Sequence, residues 1–344
     1  MAQVVAGPVG FDMTQLDLSE LVSGGVVTAT SSTFTLDLGG GRTVTYSGDG
    51  FTYGAQTFPT GGTITGIFEA LNGQAVGAIS GLAVAVPTYF SWAVNGQTEL
   101  GLETMFGGSD TLTASNVAGN VLGGFGGNDS LVGGTLGDVL DGNLGNNTIM
   151  GGDGNDTLGA PLSTGANFIR GGAGDDAIFG GAGYDDINGN QGNDTITGGD
   201  GGNDWLLGGQ GNDEVSAVAG NVIINGNLGN DTVTGGAGAD WVRGGQGEDW
   251  VRGGAGDDHL YPDRGADTVT GGSGADVFHL MVAGGADVIT DFNGAQGDRI
   301  QLDPGTTATV SETGSGTLVT LNTGDSYTLL GVPRAAFDNA WILT

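Results

Sequence analysis

A nine-residue period runs through the middle of this chain and constrains its fold more than any other feature. Gly151-Gly-Asp-Gly-Asn-Asp156-Thr-Leu158 is followed by Gly171-Gly-Ala-Gly-Asp-Asp176-Ala-Ile178 and Gly180-Gly-Ala-Gly-Tyr-Asp185-Asp-Ile187. From Gly226 to His279 six units run without a gap, with Asp231, Asp240, Asp249, Asp258, Asp267 and Asp276 at their sixth positions. The unit reads GGxGxDxUx, where U is a large apolar residue. About twenty such units can be placed, with short insertions near Gly123, Ala160, Gly198 and Leu280. A short fixed period is the mark of a stacked repeat architecture.

Glycine supplies 75 of the 344 residues, and each costs backbone entropy on folding. There is no Gly-X-Y period and proline supplies only 7 residues, so a collagen-like helix is excluded. So much glycine points to backbone with positive φ or close approach to an ion. The net charge is −32, and all seven basic residues are Arg. Such a chain repels nucleic acid and anionic membranes. It also repels itself unless cations sit between its carboxylates. With no cysteine, disulfides and thiolate metal sites are impossible.

The unit resembles the calcium-binding nonapeptide of RTX (repeats-in-toxin) proteins. That resemblance covers roughly residues 105–344. It implies an all-β chain: a calcium-bound parallel β-roll, that is, a two-sheet β-solenoid. In this fold the first six residues of a unit form a turn and the last three a strand. Two units then make one coil. Leu158, Ile178, Ile187, Ile196, Val233, Val242, Val251 and Leu260 would point inward as the core. Calcium takes six to eight oxygens. The position-six carboxylates and the carbonyls of the turn glycines would supply them, between turns two units apart. Stacked carboxylates repel without the ion, so folding and calcium binding are expected to be coupled.

With the phase carried through the insertions, one edge carries Asp138, Asp156, Asp176, Asp194, Asp213, Asp231, Asp249, Asp267 and Asp287. The other carries Asp110, Asp129, Asn147, Asn167, Asp185, Asp204, Val222, Asp240, Asp258 and Asp276. The first ladder should be near-complete, and the second should be gapped near Asn147–Asn167 and near Val222. The expected carbonyl donors come from Gly152, Gly154, Gly172, Gly174, Gly181, Gly183, Gly236, Gly238, Gly245, Gly247, Gly254 and Gly256.

Residues 1–104 lack the repeat and read as a small β-rich cap. Ser32–Leu38 and Arg42–Tyr46 flank three glycines as a hairpin. Thr63–Phe68 and Ala83–Val86 look like strands, and Pro87 could open a helix to about Asn95, with another turn over Glu99–Phe106. The N-terminus has no basic residue before Arg42, so a Sec leader is not expected. The apolar stretch from Ala75 to Val94 is broken by Ser80, Pro87 and Ser91 and reads as core rather than membrane helix. The repeats occupy 105–290. Residues 291–344 form a β-strand tail with expected strands at Gly316–Leu321 and Ser326–Leu330. Asp287-Val-Ile-Thr-Asp291-Phe292, Asp298-Arg-Ile300-Gln-Leu302 and the terminal Phe337-Asp-Asn-Ala-Trp341-Ile-Leu-Thr344 resemble the ends of RTX proteins exported by type I secretion.

That export route implies partners in the type I machinery and a chain that folds only in extracellular calcium. The two His, His259 and His279, both lie in the array. There is no HExxH, no GxSxG and no Cys nucleophile, so neither a zinc protease nor a lipase is supported. The expected role is a non-enzymatic, self-assembling building block of an extracellular filament, surface layer or biofilm matrix, as a homo-oligomer or polymer. The alternative is a secreted effector such as a bacteriocin or toxin, and an RTX-associated hydrolase ranks lower. Trp205, Trp241 and Trp250 occupy position seven and should point outward, with Arg243 and Arg252 two residues beyond the last two.

Overall fold

A computed structural model describes residues 3–6, 25–29, 33–39, 42–53, 59–71, 74–85, 106–114, 116 and 119–344. The chain divides into two compact units, Met1–Gly165 and Ala166–Thr344. Among the described residues regular structure is all β apart from two 3-10 turns, Arg334–Ala336 and Asn339–Trp341. None of their helices is long and apolar enough to cross a membrane. The helix expected from Pro87 to Asn95 lies outside the described residues, as does the turn over Glu99–Phe106 except for its last residue.

The first unit opens with β1 (Gln3–Ala6), β2 (Gly25–Ala29), β3 (Thr33–Gly39), β4 (Arg42–Tyr53), β5 (Pro59–Leu71) and β6 (Gln74–Ala85). Strands β2 to β6 form an antiparallel meander, with Phe34 opposite Tyr46 in the β3–β4 hairpin. Alternation along β4 buries Val44 and Tyr46 while Thr43 and Thr45 stay half-exposed, the period of two that a one-faced strand requires. β1 pairs antiparallel with β6 and parallel with Thr111–Thr113, the first repeat strand. A sheet edge that would otherwise template association is thereby paired.

The repeats of this unit alternate between two parallel sheets. Thr111–Thr113, Ser130–Val132 and Thr148–Asp153 stack in one. Val121–Gly123, Val139–Asp141 and Thr157–Gly159 stack in the other. Each three-residue core segment buries its middle residue: Leu112, Leu131 and Ile149 in the first sheet, Leu122, Leu140 and Leu158 in the second.

The second unit continues the same rule. Strands pair in parallel with the strand two repeats on, as Trp241 with His259 and Val242 with Leu260, or Thr232 with Trp250 and Val233 with Val251. The position-eight side chains, Ile169, Ile178, Ile187, Ile196, Leu206, Val215, Ile224, Val233, Val242, Val251, Leu260 and Val269, are fully buried. Positions seven and nine flank them and face outward. Insertions are absorbed in turns, so Val269 still meets Ile289, 20 residues on.

The tail adds an antiparallel meander of Ala308–Glu312, Gly316–Leu321 and Ser326–Leu330. Ser326–Leu330 joins the second sheet beside Ala286–Ile289. The terminal Ile342–Leu343 pairs with Arg299–Leu302. Phe292 packs its ring 5.8 Å from Phe278, 6.2 Å from Phe337 and 5.8 Å from Trp341. These rings cover the last core positions, so the roll ends on apolar packing rather than on open backbone.

Candidate metal centre

The position-six carboxylates are buried along the edges of both units, where an isolated charge costs most. Each is held by the backbone of the preceding coil. Its Oδ1 accepts a backbone N–H from the position-six residue one coil earlier. In the first unit Asp110 donates to Asp129 at 2.8 Å and Asp138 to Asp156 at 2.7 Å. In the second unit the chain of donors runs from Asp176 through Asp194, Asp213, Asp231, Asp249 and Asp267 to Asp287 at 2.8–2.9 Å. On the opposite edge Asn167 donates to Asp185, and Asp185 to Asp204. Val222 donates to Asp240, Asp240 to Asp258, and Asp258 to Asp276. The expected phase holds within each unit.

The other oxygen is different. The buried Oδ2 atoms of Asp129, Asp194, Asp204, Asp213, Asp231, Asp240, Asp249, Asp258, Asp267, Asp276 and Asp287 have no hydrogen-bond donor. A buried carboxylate oxygen without a partner is costly in a protein interior. Repetition in register makes it a design rather than a defect. A hard, oxygen-seeking cation fits this donor set.

Glycine is required by space as well as by φ. Gly245, Gly254, Gly247 and Gly256 lie at φ 116°, 122°, 146° and 134°. A Cβ on Gly254 would collide with the carbonyl oxygen of Gly236, and one on Gly256 with that of Gly238. Turn carbonyls thus stack directly over the next coil's glycines, next to the carboxylates. Gly152, Gly154, Gly172, Gly174, Gly236 and Gly238 share the positive φ.

Two turns depart from the pattern expected of them. Gly134 donates its N–H to Asp138 Oδ2, and Gly181 donates to Asp185 Oδ2, both at 2.7 Å. Gly181 and Gly183 lack the positive φ of the other turn glycines. In both cases the residue one coil earlier is Asn, not Asp. Asn120 and Asn167 donate side-chain amides to Asp138 and Asp185 Oδ1 at 2.8 Å. With an amide in place of a second carboxylate, the turn closes on its own Asp through hydrogen bonds.

Burial raises the carboxyl pKa values, with neighbouring carboxylates adding to it and the backbone N–H bonds opposing it. Asp129, Asp231 and Asp258 are pushed to about 7 and Asp267 to about 8. Asp194, Asp204, Asp213, Asp249, Asp276 and Asp287 reach about 6, again through burial first. A cation at the free oxygens would reverse these shifts by favouring the ionised form.

The repeat alone did not reveal Asn120 or Asp298 as ladder members. Asp298 Oδ1 accepts from Asp276 at 3.1 Å, and its Oδ2 accepts from Asn293 at 2.7 Å, ending that ladder. Nor did it reveal a second, exposed ladder at position five. There Asn193, Asn212 and Asn230 accept backbone N–H groups of Asn212, Asn230 and Glu248. The expected outward tryptophans are exposed: Trp205 by 48%, Trp241 by 50% and Trp250 by 52%.

Coiled parallel strands, glycine turns and stacked, half-satisfied carboxylates define a calcium-binding β-roll. A family model of the RTX calcium-binding nonapeptide repeat (4 copies) matches residues 123–158, 163–187, 185–215, 207–242, 234–269, 243–278 and 263–289. The chain is an RTX protein, and its repeats bind multiple calcium ions. No curated protein matches it.

Among solved structures, the AlgE6R3 subunit of the Azotobacter vinelandii mannuronan C5-epimerase is similar at 27% identity and a TM-score of 0.28, over 33% of this chain and 78% of that one. The extracellular lipase LipA of Serratia marcescens is similar at 16% identity and a TM-score of 0.31, over 69% of this chain and 45% of the lipase. The chain therefore spans less than half of the lipase's length.

Proposed function

We propose that this is a secreted, non-catalytic RTX protein that leaves the cell through a type I system, folds on extracellular calcium and assembles into a filament, surface layer or biofilm matrix. The observation that carries this reading is the register of free Oδ2 atoms along the buried edges. A fold built around so many uncompensated carboxylates is stable only with its cations. Cytosolic calcium is too low to fill weak sites, whereas extracellular calcium of about 10⁻³ M suits them. The chain then stays threadable inside and coils outside. The Asp residues with free Oδ2 and the positive-φ glycines are the proposed ligands, Asp138 and Asp185 being held instead by hydrogen bonds.

Assembly draws support from one outward sheet face, where Trp205, Ile223 and Trp241 stand in register on adjacent strands and are about half exposed. Rows of exposed apolar residues mark partner surfaces. Circular dichroism of the purified chain should show β-structure in calcium and lose it in excess chelator. Negative-stain electron microscopy in calcium should show ordered polymers. Strict monomers would favour the effector reading, and β-structure retained in chelator would overturn the calcium switch.

A further inference from the structure

The two histidines meet on the outward face of a sheet in the second unit. His259–Arg264 pairs in parallel with Val277–Leu280, placing His259 opposite Val277 and Leu260 opposite Phe278. Leu260 and Phe278 point into the core. His259 and His279 each adjoin one of these core residues, so both face outward, on a diagonal between neighbouring strands, within reach of each other. His259 Nδ1 lies 2.9 Å from His279 Nε2. Stacked rings brace the pair. Trp241 lies over His259 at 4.9 Å, and Tyr261 over His279 at 4.0 Å and 10°. Arg243 is locked to Asp263 by two bonds of 2.9 Å and reaches over Tyr261.

We propose that His259 and His279 form a two-imidazole site for a transition-metal dication, copper(II) foremost, separate from the calcium ladders. Metal–imidazole bonds are about 2.0–2.1 Å, so two nitrogens bound at a right angle stand about 2.9 Å apart. The pair already has that separation, and a turn of each ring that swings its nitrogen about 45° off the N···N line converts the shared N–H···N bond into a chelate. The shared proton moves, by exchange with solvent, to the other nitrogen of its own ring, so both imidazoles bind as neutral ligands and no net proton is released. Imidazole nitrogens suit copper, nickel and zinc, while calcium takes oxygens. Copper(II) leads because it tops the affinity order and accepts ligands at right angles. Among the described residues no third His, Cys, Asp or Glu completes a cluster, so water fills the remaining positions. The Asp303 carboxylate and the Arg243 guanidinium are the charges that act on His279.

The test titrates copper(II) into the full chain in excess calcium, which keeps the carboxylate turns filled. Calorimetry should show one copper per chain. H259Q and H279Q should each weaken it roughly tenfold or more, and the double variant should lose the site. Calcium-dependent circular dichroism of the variants checks that they fold. Electron paramagnetic resonance on the unaltered chain gives an independent answer, with two imidazole nitrogens coupled to the copper. No copper uptake in calcium, an unchanged affinity in the double variant, or fewer than two coupled nitrogens would each overturn the assignment.

Discussion

The backbone N–H of Asp249 donates to Asp267 Oδ1 at 2.8 Å, while Asp267 Oδ2 is buried without a donor. One carboxylate is divided between fixing the neighbouring coil and holding a cation. The two jobs separate by mutation. Asp267→Asn keeps an oxygen for the Asp249 N–H and loses the charge, whereas Asp267→Ala loses both. In millimolar calcium the urea midpoint should fall from wild type to Asn and again to Ala, the second step by about 1 kcal/mol for the lost hydrogen bond. Equal midpoints for Asn and Ala would refute the division of roles.

The raised carboxyl values give a pH dependence with a definite sign. In the metal-free roll Asp267 sits at about 8, Asp129, Asp231 and Asp258 at about 7, and Asp194, Asp213 and Asp249 at about 6, all raised chiefly by burial. An Asp carboxyl in water titrates at about 3.9. The folded state therefore binds more protons than the unfolded state between these limits. Its stability is full below the unfolded value and is lost as pH rises through 6 to 8. Without calcium, β-structure followed by circular dichroism should appear as pH falls through that window. Calcium affinity should drop over the same window, because protons and the cation compete for one oxygen. A metal-free chain equally unfolded at pH 8 and pH 5 would contradict the burial.

Glycine is not interchangeable along the turns. At Gly254 a side chain meets both φ 122° and the Gly236 carbonyl oxygen. Gly254→Ala should destabilise the calcium-loaded roll by roughly 1–3 kcal/mol in urea unfolding. Gly314 has open space around it. Gly314→Ala should stay within about 0.5 kcal/mol of wild type. Similar losses at the two positions would show that composition, not geometry, sets the cost.

How far the sequence could be read follows from these same residues. The period announced the inward residues, because position eight alternates with outward positions seven and nine in every unit, as with Val251 between Trp250 and Arg252. It announced Asp267 and its equivalents for the same reason. It could not announce Asn120, which lacks the glycine frame, or Asp298, which stands 22 residues after Asp276 where a regular coil takes 18. Nor could it show that Gly181 would close on Asp185. The consensus glycines are present there, and the cause lies 18 residues away in Asn167, reachable only once coils are stacked. The position-five ladder escaped likewise: Asn193 and Asn212 look like ordinary turn residues until their cross-coil bond is seen.

Val222 is the place to rebuild a ladder. It occupies position six with 1% exposure, between Asp204 and Asp240, and its N–H already donates to Asp240 Oδ1 at 2.9 Å. The backbone contact for a carboxylate is therefore in place, but Ala217 and Val218 stand where other turns carry glycine. A Cβ at the first of these positions meets the unit's own Oδ2, so the substitutions below are made in an Ala217→Gly, Val218→Gly background. Asp204, one coil earlier on the same edge, keeps its buried Oδ2 without a donor. Val222→Asp should raise the calcium bound per chain by at least one ion, counted by equilibrium dialysis and atomic absorption. In chelator the same change should destabilise any residual structure by several kcal/mol, the cost of an unpaired buried charge. Val222→Asn separates charge from shape. By the precedent of Asn167, whose amide donates to Asp185 Oδ1 at 2.8 Å, it should satisfy Asp240 by a hydrogen bond and leave the ion count unchanged. An unchanged count in Val222→Asp, or an equal rise in Val222→Asn, would mean that position-six carboxylates do not set the number of ions.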